Sequence, residues 1–259
     1  DSKQLASASG KTLVVTDLVA KRVLRRFQGH AERINGVALG QETYLSGSYD
    51  GTVKIWDGRN RSSYEPIQTL GDAKDSITNV LLQQEIDTDS NRIQEAKIWT
   101  ASVDGFVRGY DVRKGLLTCL DLDNPVVGLA LTRDGKCVVA SCLDGTIRLL
   151  DPTTPDSLLN TYHGHHMAGR YALACSVTAT DTCVATGSED GTCVLYDLVR
   201  GHNVQTLLWD QATGGNKKPT CAVATHPQPE HASVVVTGSY DGKAIVWAHH
   251  DVGYMEFPT

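Results

Sequence analysis

Carboxylate side chains are the commonest groups with which this sequence could do acid–base chemistry. One Asp recurs at a fixed place in a repeated phrase, at Asp50, Asp104, Asp144, Asp190 and Asp241. A catalytic carboxylate pair belongs to one site, whereas a carboxylate that returns with every repeat is better explained as a structural residue. The pattern therefore predicts aspartates in turns and no catalytic residue.

Two other groups could suggest a metal or a phosphate site. His163, His165 and His166 lie close together, but they have no Cys or Asp at the spacing of a zinc site. The tail pair His249-His250 is expected to be solvated, and residues 214–218 lack the spacing of a Walker motif. We therefore expect no metal, no cofactor and no small-molecule substrate.

Composition excludes further classes of partner. The chain has 259 residues with 24 Lys+Arg and 30 Asp+Glu, giving a net charge of −6. Its longest apolar runs reach about five to eight residues, against the roughly 20 that a membrane-spanning helix needs. The basic cluster at residues 21–26 lacks interleaved aromatics, which favours a solvated strand edge, or a contact for an acidic protein, over RNA readout. We expect no membrane partner and no direct sequence-specific binding of nucleic acid.

The seven cysteines indicate reduced thiols. None belongs to a C-x-x-C pair, and most lie within apolar, strand-like runs. Such cysteines are typical of buried thiols in an intracellular protein rather than of disulfides or zinc ligands.

A twelve-residue phrase organises the chain. In residues 46–57, SGSYDGTVKIWD, a small-residue strand leads through Asp50-Gly51 into an alternating strand. Gly accepts a positive φ and Asp can bond the backbone of its own turn, so the phrase predicts a β-hairpin. The copies, of which the first is the weakest, are residues 6–17, 46–57, 100–111, 140–151, 186–197 and 237–248.

The spacing of the copies predicts the fold class. Their mean spacing of about 46 residues is close to the roughly 40–45 residues of a propeller blade. A further apolar strand precedes each clear hairpin and another follows, so each unit has four antiparallel strands. The sequence predicts an all-β chain, a β-propeller that forms a single domain over residues 1–259. Residues 83–96 and 209–219 are predicted to be loops that interrupt two of the units.

The blade count is also an expectation of the repeat. The chain opens at the second strand of a blade, so we expect about six blades here, the first incomplete at its N-terminal side. Seven blades are expected in the full protein.

The phrases resemble the WD40 repeat. The resemblance lies in Gly29-His30 before a strand, Asp50 in the turn and Trp56-Asp57 at the end of the third strand. In that family the His, a strand Ser or Thr, the turn Asp and the Trp form a hydrogen-bonded relay inside each blade. The resemblance assigns the relay to His30, Ser46 or Ser48, Asp50 and Trp56, and in the other units to Asp104, Asp144, His165, Asp190, Asp241 and Trp247. The units around Asp104 and Asp144 lack a Gly-His pair.

A closer resemblance lies between the phrases. Residues 57–59, 65–70, 74–75, 102–105 and 143–151 resemble the mitogen-activated protein kinase organizer family of WD-repeat scaffolds, which is also counted among spliceosomal proteins. The resemblance implies a non-catalytic scaffold in the spliceosome (pre-mRNA splicing), in a MAP-kinase signalling complex, or in both. It implies proteins of those assemblies as partners, and the nucleus and cytoplasm as localisation.

The resemblance also implies a face for partners. In WD40 proteins the residue before the turn Asp points to a face that often binds proteins, together with the preceding loops. Tyr and Arg, which are enriched in interface hot spots, are frequent there, with Tyr49 and Tyr240 as the leading candidates. The candidate face consists of Tyr49, Tyr240, Glu189, Arg33, Lys74, Arg170 and Tyr171.

A second motif supports an alternative function. Trp56-Asp57-Gly58-Arg59, and more loosely residues 110–113, resemble the W-D-x-R signature of propellers that are substrate receptors of cullin-type ubiquitin ligases. Arg is also common after the third strand of a blade for structural reasons, so this function is the alternative to the scaffold.

Overall fold

The computed structural model describes residues 3–40, 43–59, 64–87, 92–154, 157–208 and 218–248, with the side chains of 85–87 and 92–95 left out. The chain forms two compact units, Asp1–Val126 and Val127–Thr259, hereafter the first and second unit. Each is described on its own, and the single domain over residues 1–259 stays a prediction. Among the described residues, no helix has the length and hydropathy that crossing a membrane requires.

The first unit contains three antiparallel sheets, each ordered as in the sequence. The first sheet has three strands: β1 (Gln4–Ser9), β2 (Thr12–Asp17) and β3 (Arg22–Gln28). The second sheet has four: β4 (Ile34–Leu39), β5 (Thr43–Ser48), β6 (Val53–Asp57) and β7 (Gln68–Leu70). The third sheet also has four: β8 (Ile77–Asp87), β9 (Arg92–Ser102), β10 (Phe106–Asp111) and β11 (Gly115–Asp121).

The second unit repeats this arrangement. The fourth sheet consists of β12 (Val126–Leu131), β13 (Val138–Cys142), β14 (Ile147–Leu150) and β15 (Leu158–Tyr162). The fifth consists of β16 (Cys175–Val177), β17 (Cys183–Gly187), β18 (Thr192–Asp197) and β19 (Asn203–Leu208). The sixth has three described strands, β20 (Thr220–Thr225), β21 (Val235–Ser239) and β22 (Ala244–Trp247), with a short 3-10 helix, Pro229–His231, after β20. The predicted all-β fold of repeated antiparallel blades is confirmed.

The predicted hairpin turns have the backbone geometry that their sequence requires. Gly51 has φ +77° and Gly242 has φ +83°, and the glycines at the same place in the third, fourth and fifth sheets are also positive. The preceding aspartate accepts the N–H two residues on, as Asp50 Oδ1 does from Thr52 at 3.0 Å. Asp-Gly therefore specifies this turn by local chemistry alone.

A second aspartate ends the third strand of several sheets. Asp57 Oδ1 accepts the backbone N–H of Arg59 at 2.8 Å, and Asp111 Oδ1 accepts those of Arg113 and Lys114 at 2.7 and 2.9 Å. These side chains close the turn that leads to the outer strand.

The cores lie between neighbouring sheets. In the first unit Leu45, Val53, Ile55, Ile77 and Val80 are buried together. In the second unit a cluster around Tyr162, Val184, Val194 and Tyr196 fills the corresponding space. Neighbouring sheets approach closely at the Gly of the small-residue strand, where a Cβ on Gly47 would lie 2.5 Å from Ile77 Cγ2.

One loop prediction is wrong. Within residues 83–96, predicted as a loop, residues 83–87 and 92–96 belong to β8 and β9, which pair from Gln83 opposite Lys97 to Asp87 opposite Arg92. A polar sequence favours a loop, but two strands can satisfy each other's backbone groups without an apolar face. Of the other predicted loop, 209–219, only residues 218 and 219 are described.

Gly187→Ala tests the close approach of sheets in the second unit. A Cβ at this position would overlap the backbone carbonyl oxygen of Thr220, which cannot yield as a flexible side chain could. We expect a loss of about 1–3 kcal/mol in the free energy of unfolding, measured by urea denaturation. Gly71→Ala is the control, because nothing lies within 4 Å of its added Cβ. Equal stability of the two variants would contradict the close approach.

Candidate interaction site

The second sheet contains a complete hydrogen-bonded relay. His30 Nδ1 lies 2.9 Å from Asp50 Oδ2, and His30 Nε2 lies 2.8 Å from Ser46 Oγ. Trp56 Nε1 donates to the same Ser46 oxygen at 2.8 Å. Ser46 and Trp56 are fully buried. Of the two serines that the sequence left open, Ser46 belongs to the relay, whereas Ser48 Oγ donates to the carbonyls of Glu32 and Arg33.

The relay holds Asp50 as a carboxylate. Burial raises the pKa of Asp50, but hydrogen bonds from the Thr52 hydroxyl, from His30 and from the backbone N–H groups of Ala31 and Thr52 outweigh it and lower the pKa to about 2. The ionised side chain thereby joins the turn to the loop that precedes β4.

The third and fourth sheets replace the histidine with an arginine. Arg108 donates two hydrogen bonds to Asp104, at 3.1 and 2.8 Å, and both side chains are buried. Arg148 Nη2 donates to Asp144 at 3.0 Å. The repeats around Asp104 and Asp144 have no Gly-His pair in the sequence. The signal that could have revealed them is an Arg four residues after the turn Asp, whose guanidinium matches the carboxylate.

The backbone contact of the relay is also kept in the third sheet. Asp104 Oδ2 accepts the N–H of Lys74 at 2.9 Å, as Asp50 Oδ2 accepts that of Ala31. Burial raises the pKa of Asp104. Hydrogen bonds from the Arg108 side chain, the Lys74 backbone, the Ser102 side chain and the Phe106 backbone outweigh it and lower the pKa below its ordinary value.

In the fifth sheet the buried histidine is His166, not His165, and among the described residues neither of them forms a hydrogen bond with Asp190. His166 is buried and its Nδ1 lies 2.8 Å from the Tyr196 hydroxyl, whereas His165 is exposed. The assignment of His165 is wrong because the sequence pattern selects the residue next to Gly164. Gly164 has φ +87°, and the chain that leaves this turn directs the second histidine inwards. Burial lowers the pKa of His166, while Asp190 accepts the backbone N–H and the hydroxyl of Thr192.

The sixth sheet has the Trp end of the relay. Trp247 Nε1 donates to Thr237 Oγ1 at 2.8 Å, and Asp241 Oδ1 accepts the Lys243 N–H at 3.0 Å. The residues in the position of His30 would fall near 209–217, outside the described residues.

The turns position the residue that precedes each turn Asp. Tyr49 donates its N–H to the Arg33 carbonyl at 2.9 Å, and Tyr240 donates to the Pro219 carbonyl at 3.0 Å. Glu189 bonds the Met167 carbonyl in the same way at 2.9 Å. The backbone of each of these residues is thus held beside the loop that leads into the first strand of its own sheet.

In the first unit the structure brings Tyr49 and Arg33 together. The Arg33 guanidinium lies 5.1 Å from the centroid of the Tyr49 ring, which is 53% exposed. Lys74 is exposed, and its backbone N–H donates to Asp104 of the third sheet. The Arg–Tyr pair is an exposed cation–π contact.

In the second unit the structure brings the other four candidates together. The rings of Tyr171 and Tyr240 lie 5.1 Å apart at 52°, and both are exposed. Glu189 Oε1 accepts the backbone N–H groups of Arg170 and Tyr171 at 2.6 and 3.0 Å. Met167, 60% exposed, was not a candidate, although its place in the loop before the fifth sheet could have indicated it.

The described residues also bear on the metal and thiol chemistry considered from the sequence. They contain no group of three or more His, Cys, Asp or Glu that could hold a metal ion. All seven cysteines are free. Burial raises the pKa of the Cys142 thiol to about 11 and those of Cys175 and Cys193 to about 12, so these thiols are protonated at neutral pH.

The low pKa of Asp50 predicts a pH dependence of stability. Because its folded-state pKa of about 2 lies below the ordinary 3.8, the carboxylate stabilises the fold fully above about pH 4, and this stabilisation is lost as pH falls towards 2. Asp50→Asn removes the titrating group. The free energy of unfolding is measured by urea denaturation at pH 5 and at pH 3. We expect it to fall by about 1 kcal/mol less in the variant than in the wild type. Glu230→Asn, at an exposed position, should leave the wild-type dependence. Parallel curves for wild type and Asp50→Asn would contradict the role of this carboxylate.

Comparison with known proteins agrees with the repeat geometry. The family model described as WD domain, G-beta repeat matches residues 21–57, 116–151 and 156–197. The predicted WD40 repeats are therefore confirmed.

Relatives extend the likeness over most of the chain. The chain is 32% identical over 267 residues to the WD repeat domain-containing protein 83 homolog of Dictyostelium discoideum, a match that covers 95% of this chain and 78% of that relative. WD repeat domain-containing protein 83 is 40% identical in Rattus norvegicus and 38% in Homo sapiens, each over 137 residues, which cover 53% of this chain and 39% of the relative. The chain therefore belongs to the WD-repeat proteins and, among them, to the family of WD repeat domain-containing protein 83.

Proposed function

We propose that this protein is a non-catalytic scaffold that binds other proteins through the loops and turns beside the relay aspartates. The observation that carries the proposal is the set of exposed tyrosine and arginine side chains held there by backbone hydrogen bonds. Tyr49 and Tyr240 are 53% and 57% exposed, although the backbone of each is fixed. Rigid aromatic side chains bind a partner at little cost in conformational entropy.

Two settings follow from the resemblance to the mitogen-activated protein kinase organizer family. One is the spliceosome, where the protein would act in pre-mRNA splicing; the other is a MAP-kinase signalling complex. The corresponding partners are spliceosomal proteins or components of the kinase pathway, and the corresponding compartments are the nucleus and the cytoplasm. Membership of the WD repeat domain-containing protein 83 family supports a role in protein interaction.

Tyr49→Ala combined with Tyr240→Ala tests the scaffold. The tagged protein is recovered from nuclear and from cytoplasmic extract, and its partners are quantified by mass spectrometry. We expect splicing proteins or kinase-pathway components with the wild type, and a loss of about tenfold or more with the double variant, since hot-spot residues contribute about 2 kcal/mol each.

The control for this experiment is Leu117→Ala combined with Leu159→Ala. These exposed leucines lie on the outer strands β11 and β15, one in each unit. An equal loss in both variants would contradict the proposed surface, and recovery of neither class of partner would contradict both settings.

The alternative is a substrate receptor of a cullin-type ubiquitin ligase. Its support is the exposure of the arginines in the two W-D-x-R-like motifs: the Arg59 side chain is 67% exposed, and Arg113 is also exposed. Asp17 and Asp197 form the same type of turn without this motif, which favours a structural origin of the aspartates.

Arg59→Ala combined with Arg113→Ala separates this alternative from the scaffold. If the protein is a ligase receptor, the double variant loses at least about tenfold of its association with purified ligase adaptor, measured by surface plasmon resonance. Lys97→Ala combined with Lys136→Ala is a charge-matched control. Unchanged association, or none with the wild type, would exclude the ligase function.

A further inference from the structure

We propose that Tyr171, Tyr240 and Glu189 of the second unit form a binding site for a lysine or arginine side chain of a partner protein. The inference rests on the proposed scaffold function and names the chemistry of one of its partners. The three residues come from the loop before β16, the turn after β17 and the turn after β21.

The aromatic part of the site is formed by two exposed rings. Tyr171 is 39% and Tyr240 57% exposed, and the two rings support each other at 5.1 Å. The face of an aromatic ring is negative and attracts an ammonium or guanidinium group within about 6 Å. Because each ring is held by the other, little side-chain freedom remains to be lost when a cation binds.

The acidic part is an oriented carboxylate. Glu189 Oε1 already accepts two backbone N–H groups, of Arg170 and Tyr171, so the carboxylate lies beside the tyrosine pair in one orientation. Among the described residues no lysine or arginine forms an ion pair with Glu189. The negative charge is therefore available to a cation from outside, and a hydrogen bond to an ionised group is stronger than a neutral one.

The second sheet shows what such a tyrosine binds. Tyr49 has the same place in its sheet as Tyr240, and its ring carries the Arg33 guanidinium at 5.1 Å. Arg33 and Pro219 correspond, since each accepts the backbone N–H of the tyrosine. Pro219 has no cation to offer, and among the described residues no arginine or lysine lies over the ring of Tyr240, so that ring can receive the side chain of another protein.

Charge supports a basic partner. The chain carries a net charge of −6, which favours encounter with a positively charged segment. Arg170 is the exposed cation nearest in sequence to the site and opposes binding of another cation. Its removal is therefore expected to strengthen binding, which provides a change in the opposite direction from the other variants.

The test measures fluorescence anisotropy with labelled peptides of glycine and serine that carry several arginines, several lysines or several glutamates. We expect the wild type to bind both basic peptides more tightly than the acidic one. Glu189→Gln, whose amide oxygen can still accept the two backbone N–H groups, should weaken binding of the basic peptides about tenfold. Tyr240→Ala should weaken it about two- to fivefold, and Arg170→Gln should strengthen it about two- to threefold.

Glu230→Gln is the control, because it makes the same charge change at an exposed position of the same unit. Equal effects of Glu189→Gln and Glu230→Gln would overturn the site. It would also be overturned if the wild type bound the acidic peptide more tightly than the basic ones and Arg170→Gln abolished that binding. Circular dichroism verifies that each variant is folded. If these peptides fail to bind while partners are still recovered in a Tyr240-dependent way, the cation site is wrong and the scaffold function stands.

Discussion

Five of the six repeated hairpins have a carboxylate at the tip that must accept hydrogen bonds, and the local architecture of these sheets depends on which groups donate them. The turn itself supplies one backbone N–H and one threonine hydroxyl, as Thr52 does for Asp50 and Thr192 does for Asp190. The remaining lone pairs must be satisfied from elsewhere, because a partly buried charge without partners is costly. In the second sheet a loop histidine meets the need, and in the third sheet a buried arginine does.

These two solutions differ in what they join. His30 connects the turn to a preceding loop and, through Ser46, to the Trp56 indole in the sheet interior. Arg108 and Asp104 both lie within one hairpin, four residues apart, and the connection to the preceding loop is left to the backbone of Lys74. A histidine therefore ties three segments of a blade together by side chains, whereas the arginine mainly reinforces one hairpin.

Packing between sheets imposes a second requirement, which is met by small residues. Gly36 and Gly47 lie where a Cβ would meet the backbone or side chains of β8. The same Ser/Thr-Gly-Ser strand therefore serves two purposes, since its hydroxyl belongs to the relay and its glycine admits the neighbouring sheet. This explains why small residues, rather than the usual β-branched ones, occupy the middle strands of a tightly packed repeat.

The hairpins and the turn aspartates could be predicted because Asp-Gly geometry and strand alternation are local properties. Trp56 and Trp247 could be placed at strand ends for the same reason, since their spacing from the turn is fixed. Which histidine of the fifth sheet is buried could not be predicted, because Gly164 is followed by two histidines and their directions depend on the tertiary path of the chain. The paired extension of β8 and β9 could not be predicted either, because its polar residues show no alternation of apolar and polar positions. Tyr171 and Tyr240 were each predicted as candidates, but their contact joins two sheets and has no local signal.

The distribution of thiols gives the protein a practical property. Cys119, on the outer strand β11, is the exposed one of the seven cysteines, and the others are buried or half-buried in strands and their connections. A maleimide dye added briefly at neutral pH would modify Cys119 first and leave the interior sulfur atoms unmodified. The sequence therefore offers one exposed attachment point for a fluorophore or a spin label, at a position outside the candidate binding surfaces.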